Sequence, residues 1–176
     1  MPHSREDLDA LFSQAYEELR RLASAVRRGD PSATLNPTAL VHEAWLRMAR
    51  DPDIPVTSEL HFKRIAARAM RRVLIEAARA RKAAKRGGGA ALATFDESLH
   101  GHDCVPDEVL ALDRALDSLA KLNPRQATMV ESRFFGGLDV RETAELLQVS
   151  ETTVERDWRA ARAWLAVELG AGGSPA

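Results

Sequence analysis

Between His61 and Arg86 the chain carries Lys63, Arg64, Arg68, Arg71, Arg72, Arg79, Arg81, Lys82, Lys85 and Arg86, against Glu76 alone. Ten bases and one acid in 26 residues are far more lopsided than a salt-bridged surface helix needs. Guanidinium and ammonium groups repeated at this density bind phosphate, so the run predicts a nucleic-acid contact. The whole chain has a net charge of only −1, so the remainder is acidic. Residues 87–113 hold Asp96, Glu97, Asp103, Asp107, Glu108 and Asp113 with no Lys or Arg.

A second cluster predicts base reading. Val140-Arg-Glu-Thr-Ala144-Glu-Leu-Leu147-Gln-Val149-Ser150-Glu-Thr-Thr-Val154 has the spacing of a helix-turn-helix. Ala144 is small where two helices cross, Leu147, Val149 and Val154 are apolar where the pair closes on a core, and Ser150 can cap the second helix. That helix would enter the DNA major groove with Thr152, Thr153, Arg156 and Arg159 facing base edges and phosphates. Gln148 stands where a turn glycine is common.

Other chemistry is not suggested. No glycine-rich loop opens a helix for phosphate, and no Ser, His and Asp set has catalytic spacing, so no enzyme activity and no cofactor are expected. His100, His102 and Cys104 are too few, in an acidic and glycine-bearing stretch, to predict a metal site. With one cysteine, neither an internal disulfide nor a multi-thiolate metal site can form. No run approaches the ~18 apolar residues of a membrane span, and the first residues, rich in acids, do not read as a secretory signal. A cytoplasmic protein without a membrane partner is the expectation.

The elements that position these clusters are all helices. Ala, Leu, Arg and Glu abound and aromatics make up 5%, which predicts an all-α fold. Ser4-Arg-Glu-Asp7 reads as a capping box, followed by Leu8, Leu11, Phe12, Ala15, Leu19, Leu22 and Val26 at helical spacing. Asn36-Pro37 opens a second helix with Leu40, Val41, Ala44, Trp45 and Met48 as its apolar stripe. A third runs from about Ser58 to Arg86. At 100° per residue, Arg64, Arg68, Arg71, Arg72, Arg79, Lys82 and Arg86 fall within roughly 100° of one another. Phe62, Ala66, Ala69, Met70, Val73 and Ala77 fall opposite, and Ile75 is an apolar exception inside the basic sector. From Gly87 to Pro106 no period holds, which predicts a linker. Four helices follow: one striped by Val109, Leu112, Leu116 and Leu119; one capped by Asn123-Pro124 and carrying Met129, Val130 and Phe134; one over about Asp139–Leu147; and one after Ser150 striped by Val154, Trp158, Ala161, Leu165 and Leu169.

In this order the pieces resemble an extracytoplasmic-function (ECF) sigma factor, a specificity subunit of bacterial RNA polymerase. The resemblance rests on Thr38-Ala-Leu-Val-His-Glu-Ala-Trp-Leu-Arg47, on Phe62 through Lys82, and on Leu116-Asp-Ser-Leu-Ala-Lys-Leu-Asn-Pro-Arg-Gln126 followed by the helix-turn-helix. It implies two small helical domains joined by a flexible acidic linker. A three-helix region 2 would span 1–88, the linker 89–106, a four-helix region 4 107–170, and a disordered tail 171–176. It implies core RNA polymerase and promoter DNA as partners. Leu40, Val41, His42, Glu43 and Arg47 would contact the polymerase. Arg64, Arg68, Arg71, Arg72 and Arg79 would act at the minus-ten element, which region 2 opens and reads, and Thr152, Thr153, Arg156 and Arg159 at the minus-thirty-five element. The linker would thread the polymerase's positively lined active-site and RNA-exit path.

The chain departs from the family pattern at Ala39, where many members have an acid. That departure makes Thr38 a candidate phosphosite, with Thr34, Thr57 and Ser58 nearby, and a Ser/Thr kinase a candidate partner beside an anti-sigma factor. The rival reading of the residues is a stand-alone two-domain helix-turn-helix regulator. A helical RNA-binding accessory protein is a third reading.

Overall fold

The computed structural model describes residues 5–28, 37–50, 57–85 and 106–171. These form seven helices, α1 (Arg5–Arg28), α2 (Pro37–Ala49), α3 (Glu59–Lys85), α4 (Pro106–Leu122), α5 (Pro124–Phe134), α6 (Val140–Leu147) and α7 (Glu151–Ala171), with no strand among the described residues. The all-α expectation is met. Of the expected linker 89–106 and tail 171–176, residues 89–105 and 172–176 lie outside the described residues, as do Ser4, Thr34, Arg86 and the His100, His102 and Cys104 group, whereas Pro106 begins α4 and Ala171 ends α7.

Helices α1, α2 and α3 close on each other through the stripes expected from the sequence. Ala15 and Leu19 come from α1, Leu40, Val41, Ala44 and Met48 from α2, and Phe62, Ala66, Ala69, Met70 and Val73 from α3. Phe62 is fully buried, a burial that contributes about 2–3 kcal/mol. Phe12 stacks on Trp45 with ring centroids 4.4 Å apart, and His42 meets Phe12 edge-on at 6.4 Å, so α1 and α2 are joined by an aromatic seam outside the aliphatic core.

The helices of the C-terminal half are set by their caps. Asn123 accepts a hydrogen bond from the Gln126 backbone N–H at 3.1 Å, with Pro124 supplying the first helical position; such a cap contributes about 1 kcal/mol. Asp139 and Glu142 form a reciprocal capping box at the start of α6, the Glu142 N–H donating to Asp139 at 2.7 Å and the Asp139 N–H to Glu142 Oε2 at 3.0 Å. Leu116, Leu119, Met129, Val130, Ala144, Val154, Ala161 and Leu165 fill the centre. Two expectations are corrected. Phe134 is exposed and Phe135 buried, because α5 ends at Phe134 and the chain turns Phe135 inward. Leu169 is exposed, because the last turns of α7 extend beyond the core.

The buried apolar residues of the two halves form one cluster. α3 joins them, packing on α2 by one face and on α4 and α5 by another. Ile75, the exception in the basic sector, is covered here by Leu110 and Val109 of α4 together with Ala78. Lower down, Gly136 lies against α3 so closely that a Cβ on it would sit 3.1 Å from Ala67 Cβ and 3.2 Å from the Lys63 carbonyl oxygen. No helix of the described residues is long and apolar enough to cross a membrane.

Candidate nucleic-acid interface

Among the basic residues of α3 two sets stand out. Arg64, Arg68, Arg72 and Arg79 are exposed, because their positions on the helix lie away from both packed faces. The acid of the run is occupied elsewhere: Arg47 Nη2 of α2 bonds Glu76 at 2.6 Å. That hydrogen bond, outweighing the opposing effect of partial burial, holds the Glu76 carboxyl below its usual range. The exposed guanidinium row is thus left with its single interleaved acid already paired.

Arg71 and Lys63 form the second set and turn toward the C-terminal half. The Arg71 guanidinium donates to Asp113 Oδ1 at 2.7 and 3.2 Å, to the Asp113 carbonyl at 3.0 Å, to Asp117 at 2.7 Å and to Glu131 at 2.8 Å. Burial opposes its charge, yet the bonds from Glu131, Asp113 and Asp117 outweigh that and raise its pKa. Lys63 is 4% exposed and meets Glu142 at 2.9 Å and Glu59 at 3.6 Å. Of the expected minus-ten residues, then, Arg64, Arg68, Arg72 and Arg79 share the open face, whereas Arg71 is enclosed by acids, with Arg79 reaching the same Asp113 at 3.7 Å.

The helix-turn-helix forms as its spacing predicts. Gln148 adopts the left-handed conformation at φ 54° and ψ 46°, and its side chain offsets part of that cost by donating to the Glu145 carbonyl at 2.7 Å. Ser150 Oγ accepts from the Thr153 N–H at 3.2 Å and lies 2.9 Å from the Thr153 hydroxyl. Thr152, Arg156 and Arg159 are exposed on α7, while Thr153 is half-buried with its hydroxyl in the cap. The orientation of α7 is fixed from below: Asp157, 5% exposed, accepts from Arg125 Nη2 at 2.6 Å and Nε at 3.0 Å. Arg133 lies 4.2 Å over the Trp158 ring, and burial, only partly offset by Asp139, lowers its pKa. Sequence reading missed Arg125, Asp157 and Arg133. An acid within a helix expected to face DNA was the available sign that Asp157 points inward.

Of the polymerase set expected on α2, two residues lie in the core. Leu40 and Val41 are 3% and 1% exposed, because they share the inner stripe with Ala44 and Met48 and are not accessible to a partner. The outer surface carries exposed His42 and Leu46, half-buried Glu43 and Arg47, and in the first turn half-buried Thr38 and Ala39 with no acid. Arg47 is shared between Glu43 and Glu76. Thr57 and Ser58, the fallback phosphosites, are engaged at the start of α3: Ser58 Oγ accepts from the His61 N–H, and the Thr57 N–H donates to His61 Nδ1. The pKa of His61 is lowered by burial and then by Arg64.

No group of three or more His, Cys, Asp or Glu among the described residues is placed to hold a metal ion. A family model described as ECF sigma factor matches residues 4–171. No curated protein and no solved structure gives a significant match.

Proposed function

The chain belongs to the ECF sigma factor family, whose members serve RNA polymerase in transcription initiation, and on that premise we propose that it docks on core polymerase through α2 and directs it to promoters read by α3 and α7. The observation that carries this reading is the row of exposed guanidiniums at Arg64, Arg68, Arg72 and Arg79, in the same chain as a well-formed helix-turn-helix. A stand-alone repressor accounts for the second feature and leaves the first without a role. Arginines spaced one turn apart suit the phosphates of a displaced single strand. The chain itself would catalyse nothing; the polymerase supplies the chemistry, in the cytoplasm.

Reconstitution tests this. Promoter-dependent transcripts should require both this chain and core polymerase, and the chain alone should bind promoter duplex weakly, since two small reading surfaces gain avidity only when a scaffold fixes their spacing. Tight sequence-specific binding by the isolated chain, with no effect on core polymerase, would establish the regulator instead. Within the same assay Arg156→Ala and Thr152→Ala should each lower transcription from a minus-thirty-five-dependent promoter about ten-fold, the effect of losing ~1–3 kcal/mol of base discrimination. A promoter lacking that element should be unaffected. Equal loss on both promoters would place these side chains outside base reading.

Docking is also the step at which control by a Ser/Thr kinase would act. A phosphate at Thr38 adds about −1.5 to −2 charges to a helix first turn that otherwise has no acid, where the helix dipole favours an anion. Core binding is expected to strengthen in Ala39→Asp and, more weakly, in Thr38→Glu, and to stay unchanged in Thr38→Ala. If Ala39→Asp leaves binding unchanged, a charge deficit is not what limits docking.

A further inference from the structure

We propose that Arg47, on the helix assigned to polymerase docking, is a positioning residue for strand opening: it holds Glu76 away from the exposed arginine row of α3, so that Arg72 and Arg79 stay available to phosphate. The proposal rests on the strand-gripping reading above and adds what keeps that grip from being neutralised from within.

Glu76 is the single acid between His61 and Arg86, and it stands inside the row. It follows Arg72 by four residues and precedes Arg79 by three, so at 100° per residue the three share one side of α3 within about 60° of one another. Opposite charges at these spacings pair on a helix surface. Left to itself, the Glu76 carboxylate would draw in one guanidinium or the other, and it would repel a phosphate approaching either. After the stronger hydrogen bond from Arg47, Arg79 and Arg72 already act on it through space.

The carboxylate is instead taken up by α2. Arg47 Nη2 bonds Glu76 Oε2 at 2.6 Å, while Glu43, one turn earlier on α2, steadies the same guanidinium with its Oε1 3.4 Å from Nε. The Arg47 side chain is 30% exposed and that of Glu76 57%, and a pair so close to water contributes little to the stability of the fold. Its larger effect is on the charge shown to a strand lying along α3. Arg79 also has Asp113 at 3.7 Å, so Arg72 has the most to lose if Glu76 is released.

The test uses the full chain with core polymerase at saturating concentration, so that a change in docking, measured in parallel by co-elution, does not enter the opening signal. Arg47→Met keeps the bulk of the stem and frees Glu76. Opening, read by permanganate reactivity, should fall about ten-fold, the effect of losing one hydrogen bond to a charged group, and the salt slope should flatten by about 0.7. Adding Glu76→Gln to Arg47→Met should restore both. Arg47→Met with Asp9→Asn, an exposed acid of α1, has the same net charge as that rescued chain and should restore neither. Glu76→Gln alone should open promoters at least as well as the parent. Normal opening by Arg47→Met overturns the proposal. So does a defect that Glu76→Gln leaves in place, which would assign Arg47 to packing or docking, and so does equal rescue by Asp9→Asn or a defect in Glu76→Gln alone. Arg68→Gln with Arg72→Gln, run alongside, separates the two levels: if that chain is impaired while Arg47→Met is normal, only the role of Arg47 fails, and if both open normally the strand-gripping reading fails with it.

Discussion

Replacing Arg68 and Arg72 together by Gln is expected to leave core-polymerase binding intact and to reduce open-complex formation about a hundred-fold. Both side chains are exposed on α3 and neither packs on a neighbouring helix, so the substitutions remove charge without opening a cavity. A hydrogen bond to a charged group contributes about 1.5–3 kcal/mol, and losing two at the lower figure corresponds to about two orders of magnitude. The salt dependence supplies an independent reading. Each phosphate contact to a single strand contributes about 0.7 to the slope of log K against log salt, so the double variant should flatten that slope by about 1.4. Permanganate reactivity of promoter thymines measures opening, and polymerase co-elution measures docking. Normal opening by a folded double variant would mean that the exposed arginines of α3 do not grip the displaced strand.

Much of this site was legible because it depends on local rules. Asn123-Pro124 and Ser150 are capping signals read from neighbours three residues away, and each forms as expected, Asn123 accepting from the Gln126 N–H and Ser150 from the Thr153 N–H. The 100° spacing of α3 separated Arg64, Arg68 and Arg72 from Phe62, Met70 and Val73, and that division stands. What stayed hidden depends on contacts between distant parts of the chain. Arg71 lies in the same sector as its neighbours, and only residues 42 to 60 positions away decide that it faces acids. Ile75 was the one local sign: an isoleucine inside a basic sector requires a cover, and α4 provides it.

Leu40 and Val41 show a conflict within sequence reasoning itself. They belong to the apolar stripe that periodicity assigns to the core, and family resemblance assigns the same residues to the polymerase. Burial places them in the core, and the residues left facing outward on α2 are His42, Glu43, Leu46 and Arg47. The Phe134 and Phe135 pair shows the opposite limitation. Two adjacent phenylalanines at a helix end differ by 100°, and the last residue in the helix decides which one enters the core.

The second large effect is expected at the support of the recognition helix, and it is asymmetric. Arg125→Met should destabilise the chain by about 2–3 kcal/mol, whereas Asp157→Asn should cost only about 1 kcal/mol. The reason is where each partner is left. The Asp157 side chain is 8% exposed and the Arg125 side chain 45%. Without Arg125 a carboxylate stays buried with only Arg156 nearby, 3.6 Å from Oδ1; breaking a fully buried pair costs about 3–5 kcal/mol, and the exposure of Arg125 reduces that figure here. Without the Asp157 charge, Arg125 swings into water, and the asparagine oxygen can still accept one bond. For a chain of this size ~2–3 kcal/mol corresponds to a melting temperature lower by about 5–10 °C. Trp158 and Trp164 lie on α7 and Trp45 on α2, so fluorescence from variants keeping one or the other group would show where unfolding begins. The loss is expected first on α7, and recognition of the minus-thirty-five element should fall with it although neither residue belongs to the set expected to read DNA. An Asp157→Asn chain less stable than Arg125→Met would show that the stranded carboxylate is not the origin of the effect.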